Sequence, residues 1–145
     1  MNLFKQTTQV LEWPRLLDAL AGHARSTMGA ARCRTLELAT SLHDSQQRQQ
    51  ETTEMGQLQA SGEALPVLAF PDIQDPLVRA KKGAVLEVHE LRDCALVLEL
   101  LEESRRFVGR HQQDALALAS AASPLLLVGG LRPVKTGLDA AIHQD

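Results

Sequence analysis

The chain has 145 residues, 44% hydrophobic and 23% charged, which fits one globular domain with its own core and excludes a disordered chain. Three Phe, one Trp and no Tyr leave the core to Leu, Ala and Val, so packed helices are favoured over a sandwich or barrel and the expected fold class is all-α. Lys and Arg number 15 against 18 Asp and Glu, a net charge of −3, so no overall field draws nucleic acid or an anionic membrane to the molecule.

Trp13, Leu16, Leu17 and Leu20 recur at i, i+3, i+4 and i+7, and Pro14 sits where a first helical turn tolerates a missing N–H. A helix is expected over 13–23. Ser26 or Thr27 caps a second, over 27–38, with Met28, Ala31 and Leu38 toward one side, and the two should pack as a helical hairpin. Residues 44–61 permit a helix but are rich in Gln, with Met55 and Leu58 as its clear anchors before Gly62 ends it. Such a helix has a weak claim on a core.

Pro66, Pro71 and Pro76 break helix and mark a connector, followed by a short helical turn over 76–81 before Gly83 resets the chain. The strongest helical signal lies over 86–111, where Leu91, Cys94, Leu98, Leu101 and Val108 form one seam and Val97, Leu100 and Phe107 an adjoining one. That helix should be buried on a wide face. An Ala/Leu-rich helix over 113–122 is stopped by Ser123-Pro124, the Leu125–Val128 run is irregular or helical, and a last amphipathic helix occupies 131–143. It ends without a stop signal, which reads as the mark of a fragment, and 1–145 reads as a single helical domain.

Chemistry is sparse. Gly129-Gly130-Leu131-Arg132-Pro133-Val134-Lys135-Thr136 has the look of a phosphate loop, but Val134 stands where glycine must precede the lysine, and Pro133 deletes another donor. His23, His43, His89, His111 and His143 show no ligand spacing such as HExxH. His89-Glu90 and His111 with Asp114 read as surface or capping residues rather than acid/base pairs. Cys33 and Cys94 lie far apart outside any CxxC context, the pattern of two reduced thiols. No catalytic, cofactor-binding or metal-ligating residue is therefore assigned.

Glu99, Glu102 and Glu103 precede Arg105, Arg106 and Arg110 in the order that favours i, i+3 or i, i+4 pairs. These arginines, or Arg79, Lys81 and Lys82, are the candidates for contact with a phosphate backbone, without interleaved aromatics for stacking on bases. Met1-Asn2-Leu3-Phe4-Lys5-Gln6 opens without a continuous apolar run, and no stretch approaches the roughly 20 apolar residues of a membrane span, so a cytoplasmic protein is expected.

The order of features is more specific than any one of them. Leu11-Glu12-Trp13-Pro14-Arg15-Leu16-Leu17 and Ala24-Arg25-Ser26-Thr27-Met28-Gly29 resemble the start of the MutS-two subfamily of bacterial MutS-like ATPases. Glu51-Thr52, then Phe70-Pro71-Asp72-Ile73, Leu77, Ala80, Lys82-Gly83, Leu86 and Glu90-Leu91, continue the resemblance in the same order, over roughly residues 8–110.

The resemblance implies an N-terminal piece of a larger parent that lacks the mismatch-reading domains of true MutS and begins with a helical core and lever region. A coiled-coil clamp, a dimerising ABC-type ATPase domain and a C-terminal Smr endonuclease domain would follow. ATP and Mg²⁺ would belong to that parent and not to this chain, since the Walker and Smr motifs would lie beyond Asp145. DNA would be reached through the parent, with weak or no contact by these residues, in proteins linked to mismatch-repair relatives, suppression of recombination and, in some bacteria, rescue of collided ribosomes. This chain would then be a non-catalytic lever or core module. The alternative is a free-standing helical adaptor that binds a protein through the exposed side of the 86–111 helix.

Overall fold

Side chains that accept from backbone amides fix the starts of three helices in this chain. The computed structural model describes residues 3–142, with side chains from residue 6 onward. Along the chain come α1 (Leu3–Val10), α2 (Trp13–Ala21), α3 (Thr27–Arg34), α4 (Leu42–Ala60), α5 (Gln74–Lys81), α6 (Val88–Arg110), α7 (Leu116–Ala121), α8 (Ser123–Leu127) and α9 (Leu131–Ile142). No strand occurs among the described residues, so the fold is all-α. His143, the last residue of the expected 131–143 helix, lies outside the described residues. The described residues pack as two compact units, one running up to Leu38 and including Leu68–Asp72, the other made of Ala39–Val67 and the residues from Ile73 onward.

In the first unit, α2 and α3 pack against each other as the expected hairpin. Ser26 is the cap of α3, its Oγ accepting from the Gly29 amide at 3.0 Å. Glycine at that place has a physical reason, because a Cβ on Gly29 would sit 3.0 Å from the Ser26 hydroxyl. The helix ends at Arg34 rather than 38, where the Thr35 and Leu36 amides tighten onto the Arg32 and Cys33 carbonyls three residues back, each at 3.2 Å. The indole N–H of Trp13 then donates to the Leu36 carbonyl at 3.1 Å and ties the end of α3 to the start of α2. Of the expected apolar face of α2, Leu17 is buried, whereas Leu16 and Leu20 remain 55% and 44% exposed.

The second unit is built around α6. Its start is fixed by the Glu87 amide donating to Glu90 Oε2 at 2.9 Å, one helical turn in. Phe107, 2% exposed, is the centre of a cluster with Val108, Leu58, Ala115 and Ala119, against which Leu118, Ala122 and Leu126 pack. The polar α4 thus does reach the core, through Leu58. It begins two residues ahead of the expected 44, because Ser41 Oγ caps the Asp44 amide at 3.0 Å. Gly83, at φ 83°, supplies the left-handed turn that ends α5. Ser123-Pro124 opens α8 instead of only stopping the helix before it, proline being harmless where the first turn needs no N–H.

The wide seam of α6 is narrower than its pattern. Cys94, Val97, Phe107 and Val108 are buried, but Leu91, Leu98 and Leu100 are half-buried and Leu101 is 38% exposed, so seven-residue spacing overstated the buried face. Phe107→Ala should accordingly lower unfolding free energy by about 3–5 kcal/mol and Leu101→Ala by less than about 1 kcal/mol, measured by urea denaturation. Equal losses at the two positions would contradict this core.

Candidate functional site

The most organised polar site among the described residues lies where α4 meets α7. Gln47, Glu51, Glu54 and Leu58 follow at i, i+4, i+7 and i+11, one stripe of a helix, and three of the four are polar. What they face explains them. The residue before α7 is Ala115, whose side chain offers no oxygen to the orphan amides of the first turn. Glu54, 6% exposed, supplies it from another helix: Oε2 accepts from the Leu118 amide at 2.9 Å and Oε1 from the Ala117 amide at 3.3 Å. Gln50 Nε2 donates to Oε1 at 3.1 Å, and Gln47 Nε2 donates to Glu51 at 3.2 Å and to the Ala117 carbonyl at 3.3 Å.

This carboxylate is held ionised by neutral donors. The Leu118 amide pulls the Glu54 pKa below its ordinary value, burial opposes that, and Gln50 and the Ala117 amide add to the lowering. An anion bonded on both oxygens is neither a proton donor nor a free base near neutral pH. The site's chemistry is structural.

Of the basic residues that the sequence singles out, Arg79, Arg105 and Arg106 are paired with carboxylates. Arg105 makes a fork on Glu102, with Nε to Oε2 at 2.9 Å and Nη2 to Oε1 at 2.8 Å, and Arg106 Nε reaches Oε1 at 3.3 Å. Chiefly through Arg105, with Arg106 assisting and burial opposing, the Glu102 pKa falls to about 2. These groups line an open cleft of about 390 Å³ with residues 128–131 and Arg132. Arg110 instead lines a separate depression with Gln112, Gln113 and Asp114. Arg79 is bonded to Asp75 at 2.9 Å and paired with Glu90, which raises its pKa, while Lys81 and Lys82 are exposed. The expected i, i+3 and i, i+4 pairing is realised at Glu102.

The other candidates sit in packing or capping roles. His111 caps the C-terminal end of α6, its carbonyl accepting from the Asp114 amide at 3.1 Å and its ring lying 4.9 Å from that of Phe107. Its Nε2 is 3.4 Å from Glu63 Oε2 without a hydrogen bond. His89 is exposed, 3.6 Å from Glu87. Cys33 and Cys94 are free thiols, and burial, with Asp93 and Glu90 nearby, pushes the Cys94 thiol up. Among the described residues no group of three or more His, Cys, Asp or Glu is placed to hold a metal. In the glycine-pair segment, Pro133 lies in the first turn of α9 and Lys135 bonds Asp139 at 2.9 Å, so its ammonium is turned to a carboxylate. No helix among the described residues is long and apolar enough to cross a membrane.

Sequence reasoning had no hold on Glu54, which in a Gln-rich helix reads as solvated. The available signal was the conjunction of a polar stripe at helical spacing with a later helix that starts on an uncapped alanine.

Comparison with known proteins bears on the whole chain rather than on one site. The chain is similar to endonuclease MutS2 of Symbiobacterium thermophilum, 29% identical over 122 residues, which is 84% of this chain and 15% of that protein. It is 32% identical over 111 residues to endonuclease MutS2 of Lachnoclostridium phytofermentans, 76% of this chain and 14% of the relative. With endonuclease MutS2 of Solidesulfovibrio magneticus it shares 34% over 116 residues, again 77% and 14%. The chain therefore spans about 15% of the length of the curated relatives it matches. No family model and no solved structure matches it.

The carboxylate at the α4–α7 contact makes a pH test. Because the folded-state pKa of Glu54 lies below its unfolded value, its stabilisation is present above the ordinary carboxylate range and is lost as pH falls through the folded pKa. Thermal melts should show Glu54→Gln less stable than the parent sequence at neutral pH, with the gap closing as pH falls through and below the ordinary carboxylate range. A gap that is constant across that range would contradict an ionised cap.

Proposed function

We propose that this chain is a non-catalytic helical module of a MutS2-like DNA-handling ATPase, the helical core or lever part that passes the state of an ATPase domain to a DNA-gripping region. The observation that carries the reading is similarity across 76–84% of the chain to proteins more than five-fold longer that bear the name endonuclease MutS2. The occupied arginines agree with it. Arg79, Arg105 and Arg106 are turned to carboxylates of their own unit, and the net charge is −3, so weak and salt-sensitive contact with a phosphate backbone is the most these residues would offer.

ATP and Mg²⁺ would be supplied with their site by other parts of the whole protein. The residues here do not fit the nucleotide, since Lys135 is bonded to Asp139 and Pro133 removes an amide from the one glycine-pair segment. The whole protein would act as a homodimer on DNA, in suppression of recombination, with the ribosome as a second target. A free-standing adaptor is the alternative favoured by one observation, the exposed Leu96 and Leu101 on α6.

The two readings part on the native mass. An antibody against these residues should detect, in the source cell, a polypeptide several times larger than 15.8 kDa. A band at that mass would overturn the module reading in favour of the adaptor. Adding ATP and Mg²⁺ to the isolated chain should leave its melting temperature unchanged, and a dose-dependent rise would place a nucleotide site in these residues.

A further inference from the structure

We propose that α7, with the α8 turn that follows it, is a releasable strap over the core of the second unit, and that the Glu54 carboxylate is its latch. The inference rests on the packing of that unit and not on the function proposed above. Three features of α7 point the same way. It has six residues, far below the length at which a helix holds itself in water. Its buried positions are Ala117 and Ala119, preceded by Ala115, while Leu116 is 70% exposed, so its own apolar hold is mostly alanine and leans on half-buried Leu118, with Leu126 of α8 beside it. And its first-turn amides are satisfied from α4, not from its own sequence.

The helix beneath has the opposite character. α6 runs for 23 residues, closes its own N-terminal end at Glu87 and Glu90, and buries Phe107 and Val108. Segments with few buried apolar contacts open at lower free energy than the core they cover. Opening of α7 uncovers Phe107, Val108 and Leu58 as one apolar face, while α4 and α6 keep their own hydrogen bonds. Undocking of the strap therefore exposes that face, strips the Glu54 carboxylate of its two amide donors and breaks the Gln47 bond to the Ala117 carbonyl.

Hydrogen exchange followed by mass spectrometry on the 145-residue chain tests this, comparing peptides over 115–122 with peptides over 94–108. In the parent sequence, 115–122 should exchange through an opening that leaves 94–108 protected. Glu54→Gln should speed exchange of 115–122 several-fold with 94–108 unchanged, and Gln50→Ala, which removes a single bond to the carboxylate, should speed it less. Adding Ala115→Ser to Glu54→Gln gives α7 a cap of its own and should restore protection. The proposal is overturned if both segments exchange together in the parent sequence, if Glu54→Gln exposes 94–108 as well, or if it leaves 115–122 unaltered.

Discussion

A buried carboxylate with no cationic partner organises the second unit. Glu54 is withdrawn from water, which is costly for an anion, and the cost is offset by two backbone amides at the positive end of α7 and by the Gln50 amide. The dependence is mutual. Without Glu54 the first turn of α7 has orphan donors facing a nearly dry contact, and without α7 the carboxylate has no reason to be buried. Leu58, one helical turn further along α4, is thereby brought against Phe107 and Val108, so a polar interaction sets the register of the apolar one.

This also explains a helix whose composition argues against it. α4 carries six glutamines between 46 and 59 and only a thin apolar stripe, yet it is integral to the unit. Its inward face speaks to backbone as well as to side chains: Gln47 donates to the Ala117 carbonyl and Glu54 accepts from the Ala117 and Leu118 amides, a fit that an apolar stripe cannot make. Elsewhere in the unit Glu102 lies between Arg105 and Arg106, and Arg79 between Asp75 and Glu90. Exposed pairs of this kind add little stability, but they turn Arg79, Arg105 and Arg106 to carboxylates, which agrees with a proposed role that is mechanical and not one of gripping nucleic acid.

Much of the helical layout was legible because apolar residues recur at helical spacing and stop at glycines that a left-handed turn requires, as at Gly62 and Gly83. Boundaries failed where local hydrogen bonds decided them: the Thr35 and Leu36 amides turn back onto Arg32 and Cys33 to end α3, and the Ser41 hydroxyl starts α4 early. α1 was missed because Thr7 and Thr8 interrupt any apolar period, and Leu101 was placed in the core because heptad spacing was carried along a straight helix. The Glu102 pairs could be read from spacing alone, as could Asp75 with Arg79, whereas Glu90 reaches Arg79 only through the turn at Gly83. Glu54 was invisible for a similar reason, its partners lying 63 and 64 residues away.

The central claim is that an ionised Glu54 caps α7 across the fold, and NMR reads both ends of that interaction at once. The Glu54 side-chain carboxyl carbon should titrate below the ordinary value of 4.5, with the Ala117 and Leu118 amide protons shifting at the same midpoint. A Glu54 that titrates at its ordinary value, with those two amides indifferent to it, would contradict the account.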